Sequence, residues 1–215
     1  MADSDLAALE RCVAAFYSGS QEHMAQADAA LAPAREHPRP WELLQAMAAR
    51  GASTPAVLYC TTLVDTWVQR RWRWASAEEH AACKGTLAPL VVGAAAAQLG
   101  KEAEIRAAKL EGVLVRLLRH DWPDGWPDFV PSLLGAALPP AAVLSMIAAF
   151  ADGAAHSGDD ESLKLGFEIA TSLAEEAPSF AASLAASSAS LAPSSASASL
   201  TTALHEARSA SVSAC

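Results

Sequence analysis

Apolar residues recur every three or four positions along most of this chain, and this spacing constrains the fold more than any other feature of the sequence. Side chains three and four residues apart share one face of an α-helix, whereas a strand alternates with a period of two. Strand-like alternation is nearly absent from the sequence. We therefore predict an all-α protein, whose first apolar stripe consists of Leu6, Leu9, Val13, Phe16 and Tyr17.

Glycine, proline and capping residues divide this periodic pattern into successive helices. Ser76 and Glu79 have the spacing of a capping box, which predicts that a helix begins beside them. Thr54 is predicted to cap another helix, with Pro55 at the first helical position. Further breaks are predicted at Gly19, Pro33, His37-Pro38, Gly51 and Gly100.

Helices bounded in this way form units of about 35 to 45 residues, which is the size of a HEAT-type repeat. A single helix pair cannot bury its apolar face, but stacked pairs form a continuous core with a concave surface. The predicted fold class is an α-solenoid of HEAT-like antiparallel helix pairs, stacked as a right-handed superhelix. Such a concave surface is expected to bind proteins rather than to catalyse a reaction.

Two Trp-Pro pairs four residues apart predict a sharp corner within the segment from Val113 to Leu134. Pro123 disfavours the helical conformation in the residue before it, whereas Pro127 is compatible with the first turn of a new helix. One helix should therefore end at Trp122, and a short one should begin at Trp126. Both tryptophans are expected to pack at this corner, because large aromatic side chains usually bury most of their area.

The charge balance argues against nucleic-acid binding as the main function, since the formal net charge is −9 and the pI is about 5.1. The segment from Gln69 to Trp74 is a local exception, in which arginine and tryptophan alternate. Single-stranded nucleic-acid binders combine the same residue types. Because the chain is acidic, we expect these tryptophans to pack at a repeat junction and the arginines to lie along the surface or contact a protein.

Cysteine use and the apparent absence of targeting segments indicate a soluble, intracellular protein. No apolar run reaches the length of about 20 residues that a membrane helix needs, and the N-terminus lacks a signal-peptide pattern. The cysteines at 12, 60, 83 and 215 have no CxxC or metal-ligand spacing. Cys12 and Cys60 fall on apolar helical faces, where they are expected to act as small, reduced apolar side chains.

Motifs of known enzyme classes are absent from the sequence, which has no Gly-rich phosphate loop, no GxSxG and no HExxH. His120 is expected to cap a helix C-terminus, and Asp159-Asp160-Glu161 to lie in a solvated loop before a helix. The sequence therefore predicts no enzyme, no catalytic residue, no cofactor and no metal site.

Several segments, taken in order, have the sequence pattern of a known family. They are Val13 to Gly19, Met24 to Gln26, Glu36 to Pro38 with Trp41, Arg71 to Arg73, and Val113 to Ala136. Together they resemble the N-terminal region of the exportin-1 family, within the importin-β (karyopherin) superfamily, from about Leu6 to Ala137. The chain departs from the family after that point, because Leu138 to Asp160 is rich in Ala, Pro and Gly.

Composition and resemblance together divide the chain into three predicted regions. Residues 5–138 are expected to form the exportin-1-like HEAT repeats, and residues 139–180 a degenerate further helical repeat. Residues 181–215 contain 12 Ala and 11 Ser, which leaves few large apolar groups to anchor them. This last region is predicted to be a weakly helical or disordered tail.

The resemblance implies a nuclear transport receptor module that binds the small GTPase Ran in its GTP form and supports protein export. It also implies shuttling between nucleus and cytoplasm through the nuclear pore. The repeats that hold export signals in this family lie beyond the reach of this chain, so cargo binding is not expected. Neither nucleic acid nor a membrane is an expected partner.

In this family the second helix of each early repeat lines the concave face and binds Ran. The resemblance places these helices at about Gln21 to Arg35, Pro55 to Arg71 and Lys101 to Arg119. Helical phase then assigns a core face that comprises Val57, Cys60, Val64 and Trp67 on the middle helix, and Ile105, Val113, Leu114 and Leu117 on the last. The residues expected to face Ran are Gln26, Asp65, Gln69, Arg70 and a basic stripe of Arg106, Lys109 and Arg116.

Two other interpretations remain open at the level of the sequence. A generic HEAT-like scaffold would bind a different protein irrespective of any nucleotide. A truncated gene fragment without cargo binding would also have the missing repeats and the Ala/Ser-rich tail.

Overall fold

The computed structural model describes residues 3–18, 21–96, 100–122, 124–129 and 131–132. Within these ranges the protein is all-α, as predicted. The helices are α1 (Asp3–Ser18), α2 (Gln21–Arg35), α3 (Pro40–Ala49), α4 (Thr54–Arg71), α5 (Ala77–Ala96) and α6 (Lys101–Asp121), with a 3-10 turn (Trp72–Trp74) between α4 and α5. The predicted regions 139–180 and 181–215, the acidic triplet at 159–161 and Cys215 lie outside the described residues.

The helices pack in pairs, because each has one apolar stripe that a neighbour must cover. Helix α1 packs against α2 and α3 against α4, while further contacts join α1 to α3 and α4, and α3 to α5. The side chains that are almost completely buried include Val13, Leu31, Leu43, Leu44, Met47, Val64 and Leu87. Two compact units divide the chain at Val113, so that α1 to α5 and the first part of α6 belong to the first unit.

Three tryptophans form the aromatic centre of the first unit. The Trp41 and Trp67 rings meet edge to face at 4.7 Å between centroids, and Trp67 meets Trp72 at 5.9 Å in the same manner. All three are at most 7% exposed. Edge-to-face pairs place the positive rim of one ring against the negative face of the other, and therefore add stability beyond burial alone. The end of α4 and the 3-10 turn are thus anchored to α3.

The capping box before α5 is confirmed. The backbone N–H of Glu79 donates to Ser76 Oγ at 3.2 Å, and the backbone N–H of Ser76 donates to Glu79 Oε2 at 2.8 Å. These reciprocal bonds satisfy two backbone donors at a helix start. They also lower the pKa of the Glu79 carboxyl, chiefly through the Ser76 backbone N–H.

At two predicted helix boundaries, the contacts in the structure differ from those that the sequence predicted. The N-cap of α4 is Ser53, so Thr54 is already helical and Pro55 occupies the second position. Thr54 Oγ1 instead donates to Glu102 Oε2 on α6 at 2.8 Å. Gly100, predicted to end α5, has φ +95° and its carbonyl accepts the N–H groups of Ala103 and Glu104 at the start of α6.

Three large apolar residues of the described α-helices are exposed, and two of them, Tyr17 and Ile105, were predicted to lie on apolar faces. Tyr17 is 63% exposed and Met24 41%, and both lie towards the ends of α1 and α2 that adjoin one another in the sequence. Ile105, predicted to belong to the core, is 45% exposed. Its prediction was wrong because Ala107 and Leu110 form the buried face of early α6, and Ile105 points away from Leu110 by roughly 140° at the helical angle per residue.

The second unit contains the predicted corner, of which Pro123, Val130, Leu133 and Leu134 lie outside the described residues. Helix α6 ends at Asp121, one residue before the predicted Trp122, and the next helical residue described is Phe129 rather than the predicted Trp126. The Trp122 and Trp126 rings lie 6.1 Å and 5.2 Å from the Phe129 ring, which is 4% exposed. Both tryptophans are half-buried. Packing at the corner is therefore confirmed, with Phe129 at its centre.

Among the described helices, none is long and apolar enough to cross a membrane.

Candidate partner-binding surface

The residues predicted to face a partner lie on α2, α4 and α6 of the structure. Gln26 on α2 and both Gln69 and Arg70 near the end of α4 are exposed. The core face predicted for α4 is confirmed, because Val57, Cys60, Val64 and Trp67 are all buried. The last turns of α4 therefore present polar side chains on the face opposite this core.

Asp65 and Lys109 are brought into direct contact and tie α4 to α6. Lys109 Nζ lies 3.7 Å from Asp65 Oδ2, with 39% of the Lys109 side chain and 13% of the Asp65 side chain exposed. An ion pair at this distance and exposure contributes at most about 1 kcal/mol. Asp65 is mostly covered, and it neutralises part of the predicted basic stripe.

Arg106 lines a cavity of about 240 Å³ in the first unit. The wall is formed mainly by small or apolar side chains, including Ala48, Ala52, Pro89, Gly93, Ala94 and Leu110. Arg106 is half-buried there, so it is less accessible than helical phase predicted. The small residues on α3, α5 and α6 leave this space because they have little side-chain volume to fill it.

Arg116, the last member of the predicted stripe, belongs to the second unit. It is half-buried and already takes part in an interaction within the protein. The core positions predicted beside it are confirmed, since Val113, Leu114 and Leu117 are buried. Helical phase alone therefore identified the buried side of α6 here but overestimated how freely its cations face solvent.

Two further features of the surface were missed by sequence reasoning. Trp74 was expected to pack at a repeat junction, but the side chain is 81% exposed. On α2, Arg35 Nη2 pairs with Asp28 Oδ1 at 2.7 Å and also donates to the Asp28 carbonyl. The spacing of seven residues between Asp28 and Arg35, two helical turns, was the available signal for this pair.

Comparison with known proteins relates the chain to exportins. No family model matches it. Protein EXPORTIN 1A of Arabidopsis thaliana is 27% identical over 135 residues, which cover 62% of this chain and 13% of that protein. Exportin-1 of Schizosaccharomyces pombe is 23% identical over 134 residues, with 62% and 12% covered, and Exportin-1 of Drosophila melanogaster is 21% identical over 134 residues, with 62% and 13% covered.

The chain is thus distantly homologous to exportin-1 over about 62% of its length, which confirms the resemblance found in the sequence. It spans only 12 to 13% of the length of these relatives. The relatives are transport receptors and not enzymes, in agreement with the expectation of a non-catalytic protein.

Proposed function

We propose that this chain is an exportin-1-like module of a nuclear transport receptor, which binds the small GTPase Ran in its GTP form and thereby supports protein export from the nucleus. The observation that carries this proposal is the distant homology to exportins over about 62% of the chain. The corresponding location is the nucleus and the cytoplasm, with passage through the nuclear pore. Recognition of cargo is left to regions of the relatives that the matched segment does not cover.

The helix pairs of this proposal are HEAT-like repeats of an α-solenoid. Two contacts support the idea that second helices of successive pairs lie side by side: Thr54 on α4 donates to Glu102 on α6, and Lys109 on α6 pairs with Asp65 on α4. Helices α2, α4 and α6 would then line the concave face. Stacking of this kind gives a broad surface that suits a protein partner.

Ran would meet Gln26, Gln69 and Arg70 as exposed side chains, and Arg106 and Lys109 of α6 as partly covered cations. Arg106 and Lys109 lie one helical turn apart on α6, and Asp65 takes up part of the Lys109 charge. Cations placed in this way would attract an acidic patch on the GTPase and accelerate association more than they would slow dissociation. Arg70 is the cation of this set best suited to a test, because it is exposed near the end of a helix.

The decisive experiment measures binding of the purified full chain to immobilised Ran, loaded either with a non-hydrolysable GTP analogue or with GDP. We expect saturable binding to the GTP form, at least tenfold weaker binding to the GDP form, and association that slows as salt rises. Arg70→Glu should slow association roughly three- to tenfold. Arg11→Glu, which reverses an exposed charge on α1, serves as the matched control and should retain the original rate.

A generic HEAT-like scaffold is the second candidate, favoured by the small share of the relatives that the chain matches. It predicts a partner whose binding does not depend on the nucleotide state of Ran. Equal signals on GTP-loaded and GDP-loaded Ran, or no signal on either at the highest protein concentration, would refute the Ran proposal and leave the scaffold.

A further inference from the structure

A tryptophan and two arginines are exposed at the end of α4 and in the 3-10 turn that follows it. Trp74 is 81% exposed, whereas Trp41, Trp67 and Trp72 are buried and the two corner tryptophans are half-buried. Arg71 and Arg73, on either side of buried Trp72, are also exposed. We refer to Arg71, Arg73 and Trp74 as the Arg/Trp patch.

Contacts of Trp72 with His80 and Ala75 hold the backbone that carries the Arg/Trp patch in place. Trp72 stacks on the His80 ring with 4.0 Å between centroids, and its carbonyl lies 2.8 Å from His80 Nε2. The backbone N–H of Ala75 donates to the same carbonyl at 3.1 Å. Because the 3-10 turn is fixed in this way, a partner need not order the loop on binding, which removes one entropic cost of association.

The composition of the Arg/Trp patch fits a protein interface better than a solvated surface. Tryptophan and arginine are the residue types most enriched among the side chains that dominate binding energy. Within the described residues, neither Arg71 nor Arg73 forms an ion pair. Each guanidinium therefore has its planar set of donors available for a carboxylate, the acceptor whose geometry it matches. Covering the exposed indole with an apolar side chain removes apolar surface from water and so stabilises a complex.

The neighbourhood favours a short acidic protein segment over a nucleic acid. Glu78 is exposed and Glu79 half-exposed in the first turn of α5, only a few residues beyond Trp74. A nucleic-acid strand carries a charge at every nucleotide and would continue from the arginines onto these carboxylates. The net charge of −9 opposes such a polyanion over the rest of the surface as well. A protein segment with only two carboxylates beside one apolar side chain can pair with both arginines and cover Trp74 without this repulsion.

We propose that the Arg/Trp patch is a docking surface for an acidic segment of another protein, in which an apolar side chain packs on the Trp74 indole and flanking carboxylates pair with Arg71 and Arg73. The patch residues are not among those assigned to Ran, so this proposal extends beyond the proposed transport function.

The test uses fluorescence anisotropy with the full chain and a labelled peptide in which one phenylalanine is flanked on each side by one glutamate and otherwise by neutral residues. We expect saturable binding that weakens about tenfold in Trp74→Ala and in the double variant Arg71→Ala/Arg73→Ala. Arg11→Ala removes an exposed cation from α1 and should leave the affinity unchanged. A peptide with glutamine in place of glutamate should bind at least tenfold more weakly, and thermal unfolding of each variant checks that these surface changes leave the fold intact.

Several outcomes would overturn this proposal. They are the absence of saturable binding to the unaltered chain, equal affinity in the patch variants, or tighter binding of a labelled oligothymidine than of the acidic peptide. None of these measurements involves Ran. Failure here therefore leaves the proposed transport function to its own test, and failure of Ran binding leaves the docking proposal intact.

Discussion

Burial decides the chemistry of individual cysteines in this protein. Cys60 and Cys83 are fully buried, and desolvation raises the pKa of each thiol to about 12. Cys12 is only half-buried. The apolar spacing of α4 predicted that Cys60 is buried, and the structure confirms it. Spacing did not distinguish Cys12 from Cys60, because the difference depends on how completely neighbouring helices cover each face.

We expect iodoacetamide at pH 8 to alkylate Cys12 in the native protein and to leave Cys60 and Cys83 unmodified. A pKa of about 12 leaves roughly one thiolate in 10⁴ at this pH, and burial hinders the reagent further. Mass spectrometry of the digested protein reports each site. In guanidinium all three cysteines should react, which provides the control, and native labelling of Cys60 as fast as Cys12 would contradict the buried core of α4.

Gly51 and Gly85 differ in backbone conformation, so replacing each by alanine should have opposite effects on stability. Gly51 has φ +67° after the end of α3, whereas Gly85 lies within α5 and an added Cβ there meets no atom within 4 Å. Gly51→Ala should destabilise the protein by about 1 kcal/mol, because an L-residue is strained at that φ. Gly85→Ala should stabilise it by about 0.5 to 1 kcal/mol, since glycine weakens helix interiors. Urea midpoints of the two variants should therefore shift in opposite directions.

At the scale of a helix, the two serine N-caps show that the same residue type can act in different ways. Ser76 caps α5 through its hydroxyl and the reciprocal bond from Glu79. Ser53 caps α4 without any side-chain capping bond, and its carbonyl accepts the N–H groups of Ala56 and Val57. The sequence predicted the first cap from the Ser-x-x-Glu spacing. It placed the second cap one residue late, at Thr54, whose hydroxyl bonds α6 instead.

Ser76→Ala should lower the free energy of unfolding by about 1 kcal/mol, because it leaves a helix-terminal N–H without an acceptor. Gln45→Ala, at an exposed position within α3, is the control and should change stability by less than half as much, since it removes no capping bond. Chemical denaturation monitored by circular dichroism gives both values. Equal losses in the two variants would show that the capping box does not stabilise α5 as its geometry indicates.

At the scale of the whole molecule, polar contacts between residues distant in sequence join the helix pairs. Glu10 on α1 accepts the backbone N–H of Ser53 at 2.7 Å, across 43 positions of the chain. This hydrogen bond is the principal cause of the lowered pKa of the Glu10 carboxyl. Because Ser53 is also the N-cap of α4, the carboxylate connects the first helix pair to the beginning of the fourth helix.

The Glu10 contact predicts a specific dependence of stability on pH. A carboxyl whose folded pKa lies below the ordinary value of 4.5 stabilises the protein above that value, and the contribution is lost as pH falls through the folded pKa. The Glu10→Gln variant should therefore have a lower urea midpoint than the unaltered chain at pH 7, and the difference between the two midpoints should narrow by pH 3. Glu36→Gln, at an exposed position, is the control. A difference that stays constant with pH would exclude the charge of Glu10 as its cause.

Periodicity and short motifs determined the local features of this protein. The all-α class, the capping box and the corner at Trp122 depend on interactions within one helix or one turn, and helical periodicity indicated which face of α4 is apolar. Such interactions act over a few residues, so the order of residue types is sufficient to specify them. The relation to exportins was also carried by the sequence, because it rests on residues in a given order.

Only the tertiary structure decided which sectors of each helix are covered. Helical periodicity determines the angular position of each residue around the helix axis, but the neighbouring helices determine which residues reach solvent. Contacts between helices therefore decided that Trp72 is buried while Trp74 is exposed, that Ile105 lies outside the core, and that Asp65 pairs with Lys109. These outcomes depend on packing between residues far apart in the chain, and no local pattern encodes that packing.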